Sequence, residues 1–302
     1  MREAQAKLAS QYRIDAFCYF HYWFQGRRLL ERPFGEVLAS GRPDFPFCLC
    51  WANENWTRRW DGLDNQILQA QDYSDEDDRN HIRWLLTAFE DRRYLRLGGR
   101  PVFLFYRASS LPDPRRTTDA WREEARRSGL DLFLCFVEEP SASPLDPRVL
   151  GFDAAVEFHP NARLLGPPAG RGGGGRNWLK RRLGLFEFNY DAAHVVDYQE
   201  YFERVLELPA PSYRRFRCAM PAWDNTPRRG KNAIIFRGST PSHFRTWLEG
   251  LAASARAEGE DGLVFINAWN EWGEGNHLEP CRRWGHGYLQ AVADAFKQFD
   301  RA

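Results

Sequence analysis

The chain has 302 residues, with 42 Lys and Arg against 41 Asp and Glu and a formal net charge of +1. Such a balance supplies no global field to draw the chain to nucleic acid or an anionic surface, so a neutral partner fits best. No apolar stretch at the start has the length of a secretory signal, and no run approaches the ~18 apolar residues of a membrane span. The expectation is therefore a cytoplasmic chain without stable membrane insertion. Aromatic residues are abundant, with 12 Trp, 22 Phe and 11 Tyr. They can serve as platforms for the C–H faces of sugars or simply as core plugs, and their positions must choose between the two.

Residues 2–12 carry Ala4, Leu8 and Tyr12 near one face and predict a helix. The first aromatic-rich apolar run follows at 15–24, a helical pattern at 29–40, and a second run, "FPFCLCWAN", at 45–53. Ser74 with Asp77 forms a capping-box start for a helix reaching about Phe89. Runs at 101–107 and 131–139 flank a helical stretch from Thr117 to Arg127, and a fifth run occupies 153–160. Further helices are predicted at Asp197–Leu206, Pro241–Ala257 and Gly287–Phe299, interleaved with runs at 217–224 and 263–271.

Near-continuous apolar runs indicate strands buried on both faces, and their alternation with helices predicts an α/β fold with a parallel sheet. Seven strands are visible, whereas a (β/α)8 TIM-type barrel needs eight. The helix at 2–12 reads as part of a first βα unit whose strand is missing. We expect a single domain over 1–302, with a basic, Gly-rich insertion at about 163–186. Residues 158–186 hold Arg163, Arg171, Arg176, Lys180, Arg181 and Arg182 and no acidic residue. That segment reads as a solvated loop or as a contact for a phosphate or anionic lipid carrier; its "GGGG" lacks the ending of a phosphate loop. Of the six cysteines, five lie inside strand runs and read as buried thiols; Cys48-x-Cys50 lacks a second ligand pair, so no metal and no cofactor are expected.

In parallel α/β folds the functional groups gather at the carboxyl ends of strands. Those ends bring His21, Tyr22 and Trp23 after the first strand; Trp51, Asn53, Glu54, Trp56, Trp60 and Asp61 after the second; Glu157 after the fifth; and Trp223 and Asn225 after the sixth. After the seventh comes "NAWNEWGEG", with Asn267, Trp269, Asn270, Glu271, Trp272 and Glu274. Carboxylates, amides and aromatic plates on one rim suit a glycosidic bond, where one carboxyl is protonated and a second is ionised. Glu271 and Glu274 are the candidate catalytic pair, and the other named residues are the candidate substrate contacts. Three residues of spacing leave the stereochemistry open, since side chains lie about 5–6 Å apart on a helix and up to about 10 Å apart when extended. Structural readings stand beside these: Glu residues as caps or ion-pair partners, His21 as a satisfied core histidine, and Trp23 and Trp223 as plugs of the barrel top.

The segments "FCYFHYWFQGRRLLERP", "PDFPFCLCWANENWTRRWDG", "GFDAAVEFHPN", "MPAWDNTPRR" and "FINAWNEWGEGNHLEP" resemble, in this order, the WbsX-type proteins of bacterial polysaccharide biosynthesis. These are similar to glycoside hydrolase family 99, the endo-α-mannosidases. The resemblance spans almost the whole chain and implies a (β/α)8 barrel without metal. It also implies neighbouring-group chemistry, in which Glu271 takes the proton of a sugar 2-hydroxyl, giving a 1,2-anhydro intermediate, while Glu274 protonates the leaving oxygen. Tyr22, Trp23, Trp51, Asn53, Trp56, Trp223 and Asn225 would line the sugar subsites. WbsX-type chains begin with a strand and a "YLPQFH"-like segment, both expected to be missing here. The reading is thus a glycoside hydrolase acting on an oligo- or polysaccharide in O-antigen or capsule metabolism, with contact to a lipid-linked glycan left open. A glycosyltransferase of lipopolysaccharide synthesis and a glycan-binding barrel without turnover are the alternatives.

Overall fold

A computed structural model describes residues 1–58, 63–166, 193–257 and 262–297. Seven parallel strands lie close to the expected positions: β1 Phe17–Phe24, β2 Phe47–Trp51, β3 Arg100–Phe105, β4 Phe133–Val137, β5 Ala154–Val156, β6 Arg215–Ala219 and β7 Val264–Ile266. They pair in chain order from β1 to β7 as one sheet. The helices are α1 Arg2–Gln11, α2 Arg32–Ser40, α3 Asp75–Phe89, α4 Pro114–Arg127, α5 Tyr198–Leu206, α6 Thr226–Arg229, α7 Pro241–Ala257 and α8 Gly287–Ala295. Capping works as predicted at α3, where Ser74 Oγ accepts from Asp77 N at 3.1 Å and four acidic residues in the first turn face the positive end of the helix dipole. Among the described residues this is the expected curled α/β sheet of seven parallel strands.

Smaller pairings beyond the seven strands were not legible in the apolar pattern. His194–Asp197 pairs with Ile234–Arg237 in parallel, and Trp56–Arg58 forms a hairpin with Leu63–Gln69. The hairpin tip with Trp60 and Asp61 lies outside the described residues, as does the basic insertion from 167 onwards.

The pleat of each strand sends alternate side chains to opposite faces. On β1, Tyr19, His21 and Trp23 point outward: Tyr19 meets Phe34 of α2 at 5.7 Å, and His21 stacks on Trp84 of α3 at 4.9 Å. Phe20 and Tyr22 point inward, Phe20 lying 5.5 Å from Tyr106 beyond β3. The outward layer is a dense aromatic core in which Trp51, Phe103 and Phe105 pack on Trp121 of α4, all fully buried. Within it His21 Nε2 and His81 Nε2 share a hydrogen bond of 2.8 Å, and Trp23 Nε1 donates to both oxygens of Asp77 at 3.0 Å.

Among the described residues β7 and β1 do not pair with each other. The space between them is spanned by α1. Its Gln5 Nε2 donates to Glu279 at 2.6 Å and Tyr12 meets His286 Nδ1 at 2.8 Å on the β7 side, while Glu3 pairs with Arg42 at 2.8 Å and Arg2 with Glu36 on the β1 side. Beneath α1, Phe17, Phe45 and Trp269 close over Ala6 and Ala9. No helix among the described residues is long and apolar enough to cross a membrane.

Burial holds His21 down to about 3, with a smaller push from Arg28, and holds His81 well below its ordinary value. A group depressed on folding contributes stability above its unfolded value, near 6.5, that is lost as the pH falls toward the folded value. Asp78, raised to about 6 by burial, acts in the opposite sense. The comparison to make is therefore between His81→Gln, which keeps a donor and an acceptor for His21, and the parent chain. The Tm of the variant is expected to be lower at pH 7.5 but to fall less between pH 7.5 and 5.5. Equal falls in a thermal-shift series would contradict the buried neutral pair.

Candidate functional site

After β7 the chain forms a short antiparallel hairpin, Asn270–Glu271 against Asn276–His277, closed by a 3-10 turn over Trp272–Glu274. With three residues per turn, positions 271 and 274 fall on one face. Both carboxylates meet a single guanidinium from α6: Arg228 Nη2 donates to Glu271 Oε1 at 2.8 Å and Nη1 to Glu274 Oε1 at 3.0 Å. The three side chains are partly open to solvent, at 36 % for Arg228, 35 % for Glu271 and 22 % for Glu274.

Two glycines make this approach fit. A Cβ at Gly273 would stand 2.8 Å from Arg228 Nη2. Gly275 sits at φ +61°, in the left-handed region that favours glycine, and its missing Cβ would stand 3.3 Å from Asp224 N. The loops after β6 and β7 are also tied backbone to backbone, Asp224 N donating to Glu274 O at 2.8 Å. Burial lifts the Glu274 carboxyl above its ordinary value; Arg228 opposes this and the neighbouring Glu271 adds to it.

Facing this corner are inward side chains of the other strand ends. Tyr22 lies edge-on to Trp56 at 5.2 Å, Phe20 is half-exposed, and Tyr106 contacts Phe158 at 5.8 Å. The Arg107 guanidinium lies 3.8 Å over Tyr106 and 3.4 Å from Glu54. Tyr22 is raised above its ordinary value first by burial, then by Cys50, Glu271 and Glu54, so the two walls share one electrostatic environment.

Tyr22 thus lies against Trp56 and within the electrostatic reach of Glu54 and Glu271, while Glu271 and Glu274 share Arg228. Other candidates lie in the outward layer. His21, Trp23 and Trp51 are buried between the sheet and α3 or α4, because strand parity turns them away from the barrel interior. Glu157 is buried and accepts from Arg217 Nε at 2.9 Å and Cys218 N at 3.1 Å; against the push of burial, His159 and Arg217 hold it down to about 2.

Four candidates act as staples. Asn53 exchanges hydrogen bonds with the Arg107 backbone at 2.7 and 2.8 Å. Asn225 Oδ1 accepts from Ile234 N at 2.8 Å, Asn267 Nδ2 donates to His159 O at 2.8 Å, and Trp269 packs under α1. Trp223 is buried in the core beside α7, Asn270 is exposed on the hairpin, and Trp272 is half-exposed beside Glu279. Phe20, Tyr106, Phe158, Arg107 and Arg228 were not among the residues chosen from the sequence. Arg228 lies inside the segment "MPAWDNTPRR", and Phe20 is two residues before Tyr22 on the same face. Among the described residues no group of three or more His, Cys, Asp or Glu is arranged to hold a metal ion.

The curled parallel α/β sheet has counterparts of the same fold among solved structures. A solved structure titled "Glycoside hydrolase-like protein" aligns with TM-score 0.61 and 15 % identity over 97 % of this chain and 84 % of that one. The family 99 endo-α-mannosidase from Bacteroides thetaiotaomicron aligns with TM-score 0.57 and 14 % identity, over 98 % of this chain and 78 % of that one. At these identities the likeness establishes the fold. The chain belongs to the family described as "Glycosyltransferase WbsX", which it matches over residues 1–292. Uncharacterized protein WxcX from two strains of Xanthomonas campestris pv. campestris is 40 % identical over 301 residues. That alignment covers 98 % of this chain and 41 % of WxcX, so the chain spans about two fifths of the length of these relatives.

With 13C-labelled glutamate, the titration midpoint of Glu274 is expected above that of exposed glutamates. Arg228→Gln removes the opposing charge and should move the midpoint further up. A Glu274 midpoint at or below the exposed range would show that the guanidinium, not burial, dominates there.

Proposed function

We propose that this chain is a carbohydrate-active enzyme of bacterial polysaccharide metabolism that cleaves α-linked glycans through Glu271 and Glu274. The observation that carries the reading is the placement of both carboxyls on one face of the 3-10 turn, sharing Arg228, with Glu274 lifted by burial. One cation beside two carboxylates leaves the trio with a surplus negative charge, so taking up one proton neutralises it. The proton belongs on Glu274, which supplies the acid, and Glu271, bonded to Arg228 Nη2, takes the part of the base.

In the first step Glu271 takes the proton of the sugar 2-hydroxyl, the C2 oxygen bonds to C1, and the glycosidic C1–O bond breaks as Glu274 protonates the departing oxygen. Water then opens the three-membered ring at C1, giving its proton to Glu274 while Glu271 returns a proton to the C2 oxygen. Tyr22, Trp56, Phe20 and Tyr106 would hold the sugar by stacking, with Glu54 and Arg107 reaching its hydroxyls. The family description favours a second reading, transfer of a sugar from an activated donor through the same opening.

Incubation with α-linked manno- and rhamno-oligosaccharides in heavy-oxygen water, followed by mass spectrometry, separates these. Hydrolysis places label in the new reducing end, and Glu274→Gln should lower its rate by about 10²–10⁴-fold while the protein stays folded. Unlabelled elongated products, formed only with a nucleotide sugar, would establish transfer instead. Undiminished turnover by folded Glu274→Gln and Glu271→Gln would remove the pair from the mechanism.

A further inference from the structure

Trp272 stands between the two glutamates in sequence, and half of its surface is open to solvent, although most of the large aromatic side chains among the described residues are inside. An exposed indole is ordinarily a mobile one; this one is held at its edge and on one face. Its Nε1 donates to Glu279 Oε2 at 2.7 Å. One ring face lies on the His277 imidazole, with centroids 3.6 Å apart and planes within 15°. The imidazole is itself held, its Nδ1 lying 2.9 Å from Glu279 O. Glu279 is fixed in turn because its other oxygen accepts from Gln5 of α1 at 2.6 Å. Side chain and backbone of one residue therefore set the plane of the indole and of the ring beneath it.

We infer that Trp272 is a preformed stacking platform for a pyranose ring of an oligosaccharide and that Glu279 is its positioning residue. This inference rests on the carbohydrate reading. The indole presents an electron-rich face to the polarised C–H bonds of a sugar while its single donor is already satisfied, so no polar group is left unpaired when the sugar covers it. Because the plate is rigid before binding, little side-chain entropy is lost on contact. In the 3-10 turn residue 272 points away from the face shared by 271 and 274. The ring on Trp272 is thus a neighbour of the sugar at the carboxylates, and the substrate class is a glycan of at least two residues.

Calorimetric titration with methyl α-mannoside and with α-linked mannobiose to mannotetraose tests this on the full chain, Trp272→Ala, Trp272→Phe, Glu279→Ala and Glu279→Gln. Trp272→Ala should weaken the oligosaccharides about tenfold and the methyl glycoside little, with Trp272→Phe in between. Glu279→Ala should show a smaller loss of the same length dependence, and Glu279→Gln, which keeps an acceptor for Nε1, should restore most of it. Unchanged oligosaccharide affinity in folded Trp272→Ala would overturn the platform and leave the carbohydrate reading standing. Affinity kept in Glu279→Ala, with only Tm lowered, would overturn the positioning role. A parent chain that binds none of these sugars would overturn both the platform and the manno-glycan form of the reading.

Discussion

One guanidinium between two carboxylates organises the end of the barrel. Arg228 can hold Glu271 and Glu274 together only because the 3-10 turn sets them on one face and because position 273 has no side chain to block the approach. The arrangement joins the loops that leave β6 and β7, reinforced by the backbone bond between Asp224 and Glu274 and by the left-handed Gly275. Exposed ion pairs contribute little to stability, and this one, a third open to solvent, is no exception. Its importance is electrostatic: at Glu274 the push of burial and of the neighbouring Glu271 works against the positive charge of Arg228.

The stability of the frame resides elsewhere, in the outward aromatic layer around Trp51, Trp121, Phe103 and Phe105. Burial of such rings is the dominant favourable term, and the histidines, Asp77 and the Glu157 cluster within the layer are tolerated because each is hydrogen-bonded or ion-paired. This division leaves the inward side chains of β1 and the strand ends free of structural duty. Phe20 is half-exposed for that reason, and Tyr22 and Trp56 meet edge-on outside the buried core. At the junction of β7 and β1, α1 reaches both sides, and through Gln5 and Glu279 it connects to the hairpin that carries the glutamates. A perturbation at α1 is therefore mechanically close to the site although distant in sequence.

The strand and helix order could be read from the chain because it is written locally. Apolar runs of strand length, capping residues such as Ser74 with Asp77, and the alternation of the two patterns depend only on near neighbours. The spacing of Glu271 and Glu274 was equally visible. Which face each strand residue takes was not, since a strand buried on both sides is apolar at every position and its period of two leaves no trace. His21, Trp23 and Trp51 thus looked equivalent to Tyr22 until the pairing of β1 with β2 and the packing on α3 fixed the pleat.

The partner of the two glutamates was hidden for a related reason. Arg228 lies 43 residues before Glu271 and 46 before Glu274, and nothing in the local pattern distinguishes it from Arg229 beside it. The element order, the barrel class and the carboxylate pair follow from short-range chemistry carried by the residues themselves. The shared guanidinium, the satisfied edge of Trp272 and the sorting of aromatics into core and opening arise when distant loops meet, and such meetings depend on the packing of the whole sheet.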